Sequence, residues 1–120
     1  MKQILIVALC LGVSCAPQEP VTTVQGSACA ITVSFGSYAM GVDQTAAQAV
    51  EARLRADPAV AAVDRKPWGR EGEFDLCARI ARVQDAQRIF ASIKPLLPAA
   101  PRGPVTVTLA NGASYSAPAS

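Results

Sequence analysis

The chain has 120 residues and a formal net charge of +2, which suffices for one domain but gives no basic surface for nucleic acid. Histidine, the commonest general base and metal ligand, is absent, and no Ser-His-Asp set, phosphate-binding glycine loop or nucleotide motif is present. We therefore predict a protein that is not an enzyme, has no catalytic residues, and binds neither a metal nor another cofactor.

An apolar run from Ile4 to Val13 follows Lys2 and ends near Cys15. The run is shorter than the roughly 20 residues that cross a bilayer, and a charged start, a short apolar core and a small-residue exit are typical of a secretory signal. The exit, LGVSC (11–15), resembles the bacterial lipoprotein signal, or lipobox. This resemblance implies cleavage before Cys15 and a diacylglycerol thioether on its sulfur. An ordinary cleavable signal is the alternative.

The residues that follow the cysteine indicate how the domain is held. Ala16 stands where aspartate often marks inner-membrane retention, so the lipoprotein resemblance implies an outer-membrane anchor facing the periplasm. Proline, threonine, glutamine, glycine and serine are frequent in 16–28 and favour a flexible tether. We predict a signal peptide at 1–14, a lipidated cysteine and tether at 15–28, and a single α+β domain at 29–120.

The first half of the domain shows strand and helix signals in turn. Apolar side chains alternate from Cys29 to Phe35, as in a half-buried strand. Asp43 or Thr45 can cap the helix that follows, and Asp57-Pro58 ends it. A short second strand is predicted at 59–64, and a loop at 65–72.

The second half of the domain continues with a third strand, a helix and a final strand. Alternation predicts a strand over Phe74–Ile80, and one apolar stripe predicts a helix over 85–97 that Pro95 should end early. A strand follows at 105–109, and Asn111-Gly112 can turn it into a small hairpin. This order is that of ferredoxin-like domains. We predict an α+β, ferredoxin-like βαββαβ fold with a four-stranded antiparallel sheet and two helices on one face.

Two segments are similar to the sporulation-related repeat, a family that binds peptidoglycan. ITVSFGSYAMGVDQTAAQAVEARL (31–54) resembles its first strand, turn and Ala-rich helix, and DAQRIFASIK (85–94) resembles its second helix. The resemblance implies peptidoglycan as a ligand. The loop GSYAMGVDQ (36–44) holds no cysteine or histidine, which separates the chain from heavy-metal-associated domains of the same plan.

Cys29 and Cys77 remain once the signal is removed, and an oxidising envelope favours a disulfide between them. Alternation, however, places Cys29 on the core face of the sheet and Cys77 on the opposite face, unless Cys29 lies just before the strand. On the sequence alone, both the paired and the unpaired state stay open.

Trp68 lies in DRKPWGREGE (64–73), among charged residues. It is either a partner contact or a cap folded over the sheet edge. Tyr38, in the first loop, is a second candidate contact. We predict a lipid-anchored envelope module that contacts the membrane through lipid on Cys15 and binds an envelope protein, with peptidoglycan as the alternative ligand and no nucleic acid.

Overall fold

Five antiparallel strands and two α-helices make up residues 28–118, the part of the chain that the computed structural model describes. The strands are β1 Ile31–Phe35, β2 Val60–Pro67, β3 Phe74–Ile80, β4 Val105–Leu109 and β5 Ser114–Ala117. The helices are α1 Gln44–Ala56 and α2 Ala86–Ile93, with 3₁₀ turns at Val83–Asp85 and Lys94–Leu96 on either side of α2. The predicted signal peptide, the lipidation of Cys15 and the tether up to residue 27 lie outside the described residues.

The sheet has the order β2-β3-β1-β4-β5, with β1 at its centre. The prediction of an α+β fold is confirmed, but the prediction of a four-stranded sheet is wrong: strand count and order differ from the predicted ferredoxin-like arrangement. The difference arises at the Asn111-Gly112 turn, where the Leu109 N–H donates to the Ala113 carbonyl (2.8 Å). The chain folds back there and pairs with β4 as a fifth strand.

One face of the sheet carries the core. Ile31, Val33 and Phe35 of β1 are fully buried, because alternate residues of a strand point to the same face. Both helices bury their apolar stripes in the same core: Ala46, Ala47, Val50 and Leu54 of α1, and Ala86, Ile89 and Ile93 of α2. The two helices therefore cover one face. The opposite face, called the open face below, has no helix over it within residues 28–118.

Acidic residues stand at both ends of α1. Asp43 is the N-cap, and its side chain accepts a hydrogen bond from the Ala46 N–H (3.0 Å), whereas the alternative cap, Thr45, lies within the first turn. Asp57 ends the helix and accepts two hydrogen bonds from Arg88 of α2 (2.9 and 3.1 Å), which lower the pKa of its carboxyl. This last pair ties the two helices together.

The ends of β2 and α2 are among the boundaries that depart from the sequence predictions. Strand β2 continues to Pro67, although the sequence predicts a loop from residue 65. Arg65 stays in the strand because its guanidinium binds Glu51 of α1 (2.8 Å) and stacks on the Phe74 ring at 3.8 Å. Helix α2 ends at Ile93 rather than at residue 97, because proline has no N–H for a helical hydrogen bond and the chain continues as a 3₁₀ turn.

Candidate functional site at the loop end

A disulfide bond joins Cys29 to Cys77, with 5.2 Å between the two Cα atoms. The conflict between opposite faces does not arise, because β1 begins at Ile31 and Cys29 lies in front of it. Cys77 alternates with the core residues Leu76 and Ala78, so the bond lies on the open face. Cys29 is therefore attached to the sheet on its open face.

Several loops leave the sheet at one end. Phe35 at the end of β1 lies opposite Phe74 at the start of β3 and Val105 at the start of β4, and Pro67 at the end of β2 also lies opposite Phe74. The connections after β1, after β2 and before β4 consequently emerge side by side. We call this end of the domain the loop end, and it consists of 36–43, 68–73 and 97–104.

Ser37 organises the first of these loops. Its hydroxyl accepts hydrogen bonds from the Ala39 and Gly41 N–H groups (both 2.9 Å) and donates one to the Glu71 carboxylate in the hairpin loop 68–73. A serine hydroxyl has one donor hydrogen and two acceptor lone pairs, so its full capacity is used. One side chain thereby holds together two loops whose bonded residues are 34 positions apart in the sequence.

The hairpin loop is also fixed from within. The Trp68 N–H donates to the Glu73 carbonyl (3.1 Å), and the Glu73 side chain accepts from the Glu71 N–H (2.7 Å). Gly72 has a φ of +92°, a conformation that a side chain would disfavour. The Trp68 indole N–H donates to the carboxylate of Asp75 in β3 (2.9 Å). The indole ring is therefore oriented by a specific partner.

Large apolar side chains are exposed mainly at the loop end. Within the described part of the chain, they are Tyr38 (55% exposed), Met40 (81%), Trp68 (56%) and Val83 (57%). Only Val83 lies elsewhere, beyond the other end of the sheet, where β3 leads into α2. Trp68 is more than half exposed although its indole N–H reaches Asp75 in β3, so the ring is not a buried cap. Contact of Trp68 and Tyr38 with a partner stays a prediction.

The acidic groups near the loop end serve the fold. Asp43 accepts hydrogen bonds from the Ala46 and Arg102 N–H groups, and these bonds lower the pKa of its carboxyl. Asp43 is thus an anionic helix cap, and Asp75 holds the Trp68 indole. Residues 28–118 contain no group of three or more His, Cys, Asp or Glu side chains suited to a metal ion. No helix in that range has the length and apolar character needed to cross a membrane.

The open face carries hydroxyl side chains in register on three neighbouring strands. Two rows cross β1, β4 and β5: Ser34, Thr106 and Ser116 in one, and Thr32, Thr108 and Ser114 in the other. Alternation along β1 predicts that its serine and threonine face away from the core, but the rows depend on the register of β4 and β5. Such a surface can donate and accept hydrogen bonds and offers little apolar area.

The chain matches no protein-family model, no curated protein and no solved structure. The lipoprotein and sporulation-related resemblances therefore stay predictions from the sequence. The support for a function comes from two surfaces, the loop end and the open face.

Proposed function

We propose that the chain is a small lipid-anchored lipoprotein of the bacterial envelope that acts as a non-catalytic interaction module for an envelope protein. The observation that supports it is the exposure of Tyr38, Met40 and Trp68 on two loops that hydrogen bonds hold together. Tyrosine, tryptophan and methionine are enriched at protein interfaces, and buried tryptophan and tyrosine often supply most of the binding energy there. Loops that are already ordered also lose less conformational entropy on binding.

The point at which the tether enters supports a binding surface that faces away from the membrane. The chain reaches the domain at Cys29, in front of β1, whereas the loop end lies beyond Phe35 at the other end of that strand. With lipid on Cys15, residues 16–28 would let the domain stand at most on the order of 45 Å from the bilayer. The loop end is then the part of the domain that first meets partners in the periplasm.

We further propose that the fold is a ferredoxin-like plan with one added strand. The chain order β1-α1-β2-β3-α2-β4 and the placement of both helices on one face support it. Both sheet edges are poor docking sites, because β5 has only four residues, and β2 has an irregularity near Val60 and ends at Pro67. The loop end is therefore a better route to a partner than pairing at a sheet edge.

Photo-crosslinking in cells tests the proposed protein partner. A photoreactive amino acid replaces Trp68 or Tyr38 in the full chain, and the same amino acid at Val83 is the control, because Val83 is similarly exposed but lies at the other end of the domain. The expected result is one common adduct from both loop-end positions and a much weaker one from Val83. Absence of an adduct at both loop-end positions, or equal adducts at all three, would contradict the proposal.

Labelling with an alkyne-bearing fatty acid tests the lipid anchor. Cys15→Ala should abolish the label and leave an unprocessed precursor. Cys10→Ala, a change at the other cysteine of the leading segment, should affect neither the label nor processing. A label that survives Cys15→Ala would disprove lipidation at this residue.

The alternative function, peptidoglycan binding, is supported by the hydroxyl rows of the open face, because serine and threonine can both donate to and accept from sugar hydroxyls. Sedimentation of the purified protein with isolated peptidoglycan tests it. Thr108→Val, on the open face, should reduce the bound fraction, and Thr45→Val, an exposed threonine of α1, should not. Failure to sediment, or equal binding by both variants, would reject this candidate.

A further inference from the structure

We propose that the Cys29–Cys77 bond transmits a pull on the tether directly to the hairpin loop 68–73, so that a partner held at Trp68 can be under tension without unfolding the domain. The inference rests on the proposed function, because tension arises only when a lipid anchor and a partner hold the chain at opposite ends.

The disulfide shortens the covalent path from the tether to the tip of the hairpin loop. Along the chain, the path from Cys29 to Arg70 runs through β1, α1 and β2 and is 41 residues long (29 to 70). Through the disulfide, the path crosses to Cys77 and returns along β3, which is only 7 residues (70 to 77). Force follows the shorter path, because the longer one is still slack when the shorter one is taut.

The strand on the short path is held from both sides. β3 lies between β2 and β1, and Phe74 at its start lies opposite both Pro67 and Phe35. A pull between Cys77 and the loop tip acts along β3, whose backbone is already extended and bears the load, while the hydrogen bonds to both neighbouring strands hold it in the sheet. β1, α1 and β2 lie outside this path, and the pull therefore does not act on them end to end.

The first loop differs from the hairpin loop in this respect. Met40 is 11 residues from Cys29 along the chain (29 to 40), and the route through Cys77 is longer, so the disulfide does not shorten its path. A pull on Met40 acts through β1 whether or not the bond is intact. Met40 is also strongly exposed and belongs to the same end of the domain, which makes it a matched control.

Single-molecule pulling on the full chain tests the inference. Cys10→Ser and Cys15→Ser are introduced so that only Cys29 and Cys77 can pair. One handle is attached at the N-terminus, and the other is attached through an azide-bearing amino acid at position 70 or position 40. A path of 7 residues extends by at most about 25 Å, and one of 41 residues by about 140 Å. At position 70, the fully extended length of the path should therefore increase roughly sixfold when dithiothreitol is added, and the extension gained on unfolding, which is this length minus the folded distance, should increase by at least that factor. At position 40 it should stay the same.

Two outcomes would overturn the inference: an extension at position 70 that is equal with and without dithiothreitol, or an equal increase at position 40. Cys29→Ser, pulled at position 70 without dithiothreitol, should reproduce the long extension, which separates the effect of the bond from any effect of the reductant on the handles. Because the measurement contains no partner, its failure is distinct from the failure of the crosslinking experiment.

Discussion

Opening the disulfide should lower the free energy of unfolding by about 4 kcal/mol. Cys29→Ser opens the bond with the smallest loss of packing, because Cys29 is only half-buried. Cys77, which is 2% exposed, keeps its side chain as a thiol in this variant. The substitution therefore removes the cross-link and leaves the hydrophobic core as it is.

The magnitude follows from the length of the closed loop. The two cysteines are 48 positions apart, and the chain-entropy model gives about 4 kcal/mol at 25 °C for a loop of that length. A domain formed by residues 28–118 has a total free energy of unfolding of about 5–14 kcal/mol. The expected loss is a large part of this total and corresponds to a decrease in Tm of about 15–30 °C.

Urea unfolding followed by far-UV circular dichroism measures the effect. Trp68 fluorescence is a poor probe, because the indole is already exposed in the folded protein. In chains that also carry Cys10→Ser and Cys15→Ser, the protein in dithiothreitol and its Cys29→Ser variant should unfold at the same midpoint, and dithiothreitol should not change the variant. The m-value should increase when the bond opens, because the unfolded chain exposes more surface. A loss below about 1 kcal/mol would refute the reasoning.

Three further predictions concern the helix ends and the loop end. The free energy of unfolding should decrease as the pH falls below about 4, because the pKa values of Asp43, Glu51 and Asp57 are lowered in the folded protein and the unfolded chain then binds more protons. Asp43→Asn should weaken this pH dependence in thermal melts across that range, and an unchanged dependence would contradict the role of Asp43. Trp68→Ala should lower the free energy of unfolding by at most about 1 kcal/mol, because the ring is more than half exposed and makes one hydrogen bond, and it should weaken the crosslink from position 38. A large decrease in Tm would instead show that the ring supports the fold. Ala39→Gly should keep the free energy of unfolding within about 1 kcal/mol of wild type, because the backbone strain relieved at a φ of +90° offsets the greater conformational entropy of glycine in the unfolded chain. A larger loss of stability in thermal melts would argue against backbone strain at Ala39.

Strands and helices whose apolar residues recur at a regular spacing could be predicted from the sequence. Features that depend on which strand pairs with which could not. Core side chains alternate along Phe74–Ile80, and the strand has the predicted bounds. The end of β2 was missed, because Arg65 is typical of a loop and stays in the strand through its contacts with Glu51 and β3. The Asn111-Gly112 hairpin was visible locally, but its addition to the sheet depends on the pairing of β5 with β4.

The candidate site was predictable only in part. Trp68 stood out because it lies among charges rather than in an apolar periodic run, and it is exposed. The state of the two cysteines could not be decided, because it depends on whether β1 starts at Cys29 or just after it. The Ser37–Glu71 hydrogen bond has no signal in the sequence, since both residue types are common in loops and only the fold brings these two together.

The backbone of Ala39 connects the geometry of the first loop with the proposed function. Its φ of +90° lies in a region that glycine adopts readily and other residues rarely do. The conformation is held by Ser37, which accepts the N–H groups of Ala39 and Gly41, and it falls between the exposed side chains of Tyr38 and Met40. Strained residues that persist because their surroundings fix them are concentrated at active sites, ligand clamps and switch regions. The strained residue therefore lies between the two exposed apolar side chains that the proposed function assigns to a partner.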